Sequence, residues 1–254
     1  MKIAVCFKQV PDSSTRVKIA DDGRQINSEG VSYVINPYDE LAIAKARELA
    51  DASDGEVTVI TIGPERVKTD LRKILAMGGD RALHLQCESA PDALHAAEVV
   101  AAEINAGGFD LVLTGKQAID DDMAQFAQLL GATLGWATAT VVVDLQISGD
   151  TVTAIKEIEG GKARFTMQLP CVISSQRGIA EKIHPPIKAQ LAAKKKPVEG
   201  KSMPAGEDHL ETLKMELPPD KGAGKILTDG ADSVPELLQL LRTEAKVISS
   251  GGGA

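Results

Sequence analysis

An α/β fold, with a mostly parallel twisted sheet and helices on both faces, is what this sequence predicts, and two observations carry it. Short apolar runs ending at Gly or Pro alternate with segments of helical periodicity through residues 1–135, which is the pattern of repeated β-loop-α units. One such run, Leu111-Val112-Leu113-Thr114-Gly115, breaks at its glycine into Lys116-Gln117-Ala118-Ile119 and three acids, Asp120-Asp121-Asp122. In open α/β sheets ligands sit outside the carboxyl ends of the strands, where helix N-termini offer free backbone N–H groups. That break is the first candidate site. A helix is expected to follow, with the acids either capping it or facing away from a bound anion.

The elements run in order. Ile3 to Phe7 is the first strand, and Lys8-Gln9-Val10-Pro11-Asp12 leaves it as a loop. Residues 13–32 are polar, with Asp21-Asp22-Gly23 as a turn. Asn36-Pro37-Tyr38-Asp39-Glu40 has the chemistry of a helix start: Asn caps, and Pro suits the first position. Leu41, Ala44, Ala46 and Leu49 continue that helix. Val57 to Ile62 is a strand closing at Gly63-Pro64, and Glu65 to Met77 is a helix with Leu71, Ile74 and Leu75 on one face. Ala82 to Leu85, a helix from Asp92 to Ile104, and the strand ending at Gly115 complete the alternation.

After Trp136 the pattern changes. Thr140 to Ile147, Thr151 to Glu159 and Ala163 to Gln168 read as hairpin strands around Ser148-Gly149-Asp150 and Gly160-Gly161. Leu169 to Ser174 is a further buried strand. Beyond residue 176 the apolar period fades into an extended arm, until Leu237, Leu238, Leu241 and Ala245 restore helical spacing over Val234 to Ile248. The expected division is a body of residues 1–190 and an arm with its terminal helix, 191–254.

Composition narrows the function classes. A net charge of -8 disfavours general binding to nucleic acid or anionic membranes, and 3% aromatics disfavours a base-stacking platform. Cys6, Cys87 and Cys171 are odd in number and widely spaced, as are the four histidines, so neither a disulfide framework nor a metal site is expected. No apolar run is long enough to span a bilayer, and the expected location is cytoplasmic. Cys6, on an apolar strand, is expected to pack rather than react.

Four motifs resemble the beta subunit of electron transfer flavoproteins: Val5-Cys6-Phe7-Lys8-Gln9-Val10, Asn36-Pro37-Tyr38, Ala76-Met77-Gly78-Gly79-Asp80-Arg81, and above all Gly115 to Asp122. Ala154 to Gly161 and Leu169 to Ser174 resemble the family's signature region. Ala163 and Arg164 stand where the family usually carries Glu.

The resemblance implies an adenine nucleotide alpha hydrolase-like body and an arm that wraps an alpha subunit bearing the redox FAD. It further implies that this chain binds structural AMP and has no catalytic residues of its own. The AMP contacts would be Cys6, Asn36, Pro37, Tyr38, Asp39, Ile62, and Gly115, Lys116, Gln117, Ala118, Ile119, Asp120, Asp121, Asp122, Met123, Ala124, Gln125 and Phe126. A flavin dehydrogenase, as electron donor, would dock at Ile187, Lys188, Leu191 and the basic Lys194, Lys195 and Lys196, and a quinone oxidoreductase would accept the electrons.

Two alternatives stand beside this. A bifurcating-type subunit would hold a second FAD in place of AMP, but that branch tends to carry Gly at position 121 and Arg at 116, where this chain has Asp121 and Lys116. An adenylate-using enzyme of the nucleotide alpha-hydrolase type would need a Ser- and Gly-rich pyrophosphate loop. No segment supplies one.

Overall fold

The computed structural model describes residues 1–219, 222 and 224–248. Two compact units are distinguished, Met1–Met215 and Glu216–Ala254.

The first unit grows from β1 (Lys2–Cys6), whose residues alternate between two cores. Ile3, Val5 and the following Phe7 point to one face, where they meet Ala42, Ile43 and Ala46 of α1 (Pro37–Ala52). Ala4 and Cys6 point to the other, among apolar residues from two later helices. That two-residue period, with both faces buried, suits a parallel strand covered by helices.

Between β1 and α1 the chain makes a small antiparallel ribbon, β2 (Gln9–Pro11) with β3 (Tyr33–Ile35). The sequence reading had Gln9 to Asp12 as loop. Next come β4 (Glu56–Gly63), a 3-10 turn (Glu65–Val67), α2 (Lys68–Met77), β5 (Arg81–Gln86), α3 (Ala93–Gly107) and β6 (Leu111–Gly115). The helix α1 and α2 contribute to the first core, α3 to the second.

β6 lies on the other side of β1 from β4, so the chain reverses its direction of growth at β1. A crevice opens at such a switch point, beyond the carboxyl ends of the two strands. Here those ends are Cys6 and Gly115.

The helix expected after Gly115 begins only eleven residues on, as α4 (Phe126–Leu134). The intervening loop is held in conformations that helix cannot accommodate, with φ of 54° at both Asp122 and Ala124.

The predicted hairpins are present. β7 (Ala137–Ser148), β8 (Thr151–Ile158) and β9 (Gly161–Gln168) run antiparallel, while β10 (Cys171–Ser175) inserts parallel between β6 and β7. The compact body continues past residue 190, where the sequence placed a boundary. A short helix α5 (Ile187–Ala193) packs on α2, and β11 (Val198–Ser202) pairs parallel with β5. The sheet order is therefore β11-β5-β4-β1-β6-β10-β7-β8-β9. Arg72 Nη1 donates to Ala193 O and Lys196 O at 2.9 and 2.7 Å, closing the C-terminal end of α5.

In the second unit, α6 (Val234–Thr243) follows a 3-10 turn (Gly230–Ser233). It ends five residues before the expected Ile248. Val234, Leu237 and Leu238 are exposed.

Candidate functional site

A cleft of about 370 Å³ opens at the switch point. Its floor is the end of β1 with Ile60, Thr61 and Ile62 of β4; one wall is the loop after β6, the other the start of α3. From the expected set it gathers Cys6, Asn36, Asp39, Ile62, Gly115, Lys116, Gln117, Ala118, Asp121, Met123, Ala124, Gln125 and Phe126. Pro37, Tyr38, Ile119, Asp120 and Asp122 do not line it. Pro37 opens α1 in solvent, and Tyr38 lies beneath Lys116, whose Nζ is 4.9 Å from the ring centre.

Asn36 was expected to cap α1 and does not do so with its side chain. Its Nδ2 donates instead to Gln117 O at 2.9 Å, tying the α1 start to the β6 loop. Its Oδ1 is buried on the cleft wall with no hydrogen-bond partner among the described residues. An unmatched buried acceptor is costly unless a ligand supplies the donor.

Asp39 is the clasp of the site. Its Oδ1 accepts the Gly115 N–H at 2.9 Å, and its Oδ2 accepts the Lys8 N–H at 2.8 Å. Burial pushes its carboxyl up to about 7, against the pull of those amides. Burial likewise drives the Cys6 thiol far up, with the nearby Asp39 charge adding to it. A thiol so placed packs, and it is not activated as a nucleophile while it stays buried.

The acidic trio does not cap α4, because α4 begins beyond it. Lys8 Nζ bridges Asp120 at 2.9 Å and Asp121 at 2.8 Å. Burial opposes the Lys8 charge, yet the two carboxylates outweigh it and its pKa is raised. Asp122 accepts from the Gln117 side chain. Lys8 thus sets one positive charge against the three negative ones, which reduces the repulsion they exert on an anion without cancelling it.

Besides the start of α1 at Asn36, two helix N-termini reach the cleft, and they differ. Asp92 caps α3, accepting from His95 N at 2.8 Å. No side chain caps α4, whose first residues Gln125 and Phe126 face the cleft. The second is the better seat for an anion.

Sequence reasoning missed Lys8, the α3 residues Ala93, Ala96 and Val100, and Asp208, Leu210 and Thr212 from the arm. Lys8 carried a signal, as a cation one step past a strand's carboxyl end. Asp208 carried none, since its partner Asp92 is 116 residues away.

The residues expected to dock a partner lie elsewhere. Ile187 and Leu191, one turn apart on α5, are 75% and 56% exposed, and Lys188, Lys194 and Lys195 are exposed too. Lys196 is not part of that surface. Its Nζ donates to Leu75 O at 3.0 Å and Gly79 O at 2.6 Å, closing the C-terminal end of α2. Among the described residues no helix is long and apolar enough to cross a membrane, and no group of three or more His, Cys, Asp or Glu could hold a metal.

A doubly wound sheet with a cleft at its strand switch places the chain among the open α/β proteins, a class in which ligands sit at that position. Comparison with known proteins is more specific. The family described as electron transfer flavoprotein domain matches residues 24–205. The chain is 34% identical to the electron transfer flavoprotein subunit beta of Bacillus subtilis, over 98% of this chain and all of that one. It is 32% identical to the subunit beta of Syntrophomonas wolfei, over 97% of this chain and 98% of the relative. The subunit beta of Bos taurus is 30% identical, with 95% of this chain and 98% of the relative covered. The chain belongs to the electron transfer flavoprotein family.

Proposed function

We propose that this chain is the beta subunit of a heterodimeric electron carrier, that its cleft holds AMP as a structural nucleotide, and that it has no catalytic residue of its own. One observation carries the nucleotide reading: four segments far apart in sequence, at Cys6, Asn36 to Asp39, Ile62 and Gly115 to Phe126, converge on a single cleft at the sheet's switch point. Its chemistry suits a nucleoside monophosphate. Asn36 Oδ1 awaits a donor, which an adenine amine or a ribose hydroxyl supplies. The uncapped start of α4 and the cations Lys8 and Lys116 suit a phosphate.

FAD, held mainly by the alpha subunit, supplies the one- and two-electron chemistry. This chain's part is to hold that subunit and present a docking face. The segment from Glu216 onward, with its exposed Leu237 and Leu238, wraps the alpha subunit, and α5 receives the flavin dehydrogenase through Ile187 and Leu191. A quinone oxidoreductase takes the electrons on. The bifurcating alternative, with a second FAD here, is disfavoured by Asp121, whose carboxylate is engaged by Lys8 at the cleft edge.

Nucleotide extraction from the purified heterodimer tests the reading. One AMP and one FAD per heterodimer is the expected result. Two FAD and no AMP would move the protein to the bifurcating branch, and ATP turnover by the chain would sink the carrier reading.

A further inference from the structure

Residues 206–212 cross the mouth of the cleft, with Asp208, Leu210 and Thr212 lining it. They are exposed along their length, so apolar burial does little to hold them. What holds them is a cluster at the start of α3. Asp208 Oδ1 accepts from Asp92 N and from His95 Nδ1, each at 3.0 Å. In return Asp92 Oδ2 accepts from the backbone N–H of His209, and from that of Leu210 at 2.9 Å. Gly206 lies flat on the His95 ring, where an added Cβ would fall 2.2 Å from Nε2.

The far end is pinned to the turn at Gly23 and Arg24. Arg24 Nη1 pairs with Glu211 at 2.8 Å, and Met215 N donates to Gly23 O at 2.7 Å. A segment fixed at both ends by polar contacts, and buried nowhere between, opens more readily than the core beneath it. His95 itself is buried, and its Nε2 has no partner among the described residues. The ring therefore has one hydrogen bond to lose, and that bond is to the strap.

We propose that residues 206–212 form a strap that gates entry to and exit from this cleft, with Asp92, His95 and Asp208 as its latch. The strap needs only that the cleft takes a ligand; naming AMP as the ligand rests on the function proposed above. Two readouts on the purified heterodimer separate these claims. Radiolabelled AMP gives association and dissociation rates. Conversion of Cys6 to its methyl disulfide by methyl methanethiosulfonate, with release of methanesulfinate, gives the opening rate without any ligand once nucleotide is removed. Cys6 lies on the cleft floor, and Cys171, buried outside the cleft, reports global unfolding.

In Asp208→Ala, which loses both hydrogen bonds that the carboxylate accepts from Asp92 and His95, and independently in Gly206→Ala, whose methyl meets the His95 ring, AMP should enter and leave at least about tenfold faster. Its dissociation constant should move much less, because a gate changes both rates together. Cys6 labelling should rise by a similar factor while Cys171 stays protected. A faster dissociation alone would make Asp208 a ligand contact and overturn the gate, as would unchanged Cys6 labelling in both variants. If AMP does not bind even the unmodified protein while Cys6 labelling rises in the variants, the nucleotide reading falls and the strap stands.

Discussion

The Gly115 amide donates to Asp39 Oδ1 at 2.9 Å, and the same oxygen would lie 2.3 Å from any Cβ placed on Gly115. The hydrogen bond and the missing side chain are two sides of one constraint. The end of β6 must press against the start of α1 for the cleft to exist.

Gly115→Ala should therefore destabilise the protein by about 2–3 kcal/mol through overpacking, and the purified complex should lose its nucleotide. Urea unfolding followed by nucleotide extraction checks both. Full nucleotide content with unchanged stability would show that the loop can retreat without cost.

Asp39 makes stability depend on pH. Its folded pKa of about 7 is raised above its unfolded value, so the folded state keeps a proton that the unfolded chain releases. That contribution is complete below about pH 4 and is lost as pH rises to about 7, at most about 4 kcal/mol across the window. Asp39→Asn should flatten this slope. It should also lower stability throughout by about 1–3 kcal/mol, since an amide has one acceptor oxygen for the two N–H groups of Lys8 and Gly115. Thermal midpoints measured across that range, in both proteins, give the comparison; parallel curves would remove Asp39 as the source.

The three consecutive lysines should separate by experiment. Lys196→Ala strips two carbonyls at the end of α2 of their donor, and should cost about 1–3 kcal/mol. Lys194→Ala and Lys195→Ala should stay within about 0.5 kcal/mol of the parent, and instead slow association with the dehydrogenase at low salt. Equal stability of all three variants would refute the division.

Ile187→Ala removes a side chain that is 75% exposed, so folding and FAD content should be unchanged. Electron acceptance from the dehydrogenase should slow, as measured by stopped-flow reduction of the flavin. An unaltered rate would place the anchor elsewhere.

The sheet's body was legible because its strands obey simple rules. Ile3, Val5 and Phe7 alternate with Ala4 and Cys6 for two cores, and Gly63 and Gly115 mark strand ends. The cleft's location followed from the break at Gly115, and the family resemblance supplied most of its lining. What could not be read were pairings whose partners are remote. Asp92 with Asp208 is one, and Asn36 turning from its own helix to Gln117 is another. β11 was hidden for a different reason. Val198-Glu199-Gly200-Lys201-Ser202 is polar and almost wholly exposed, so its hydrogen bonds to β5 leave no mark in the apolar pattern.

That polar strand has a consequence beyond topology. Without β11, the unpaired backbone of β5 would end the sheet beside Leu83 and Leu85, a template for strands of other molecules. The arm is therefore also a guard against self-association: a truncation before Val198 would show itself first as turbidity at high protein concentration.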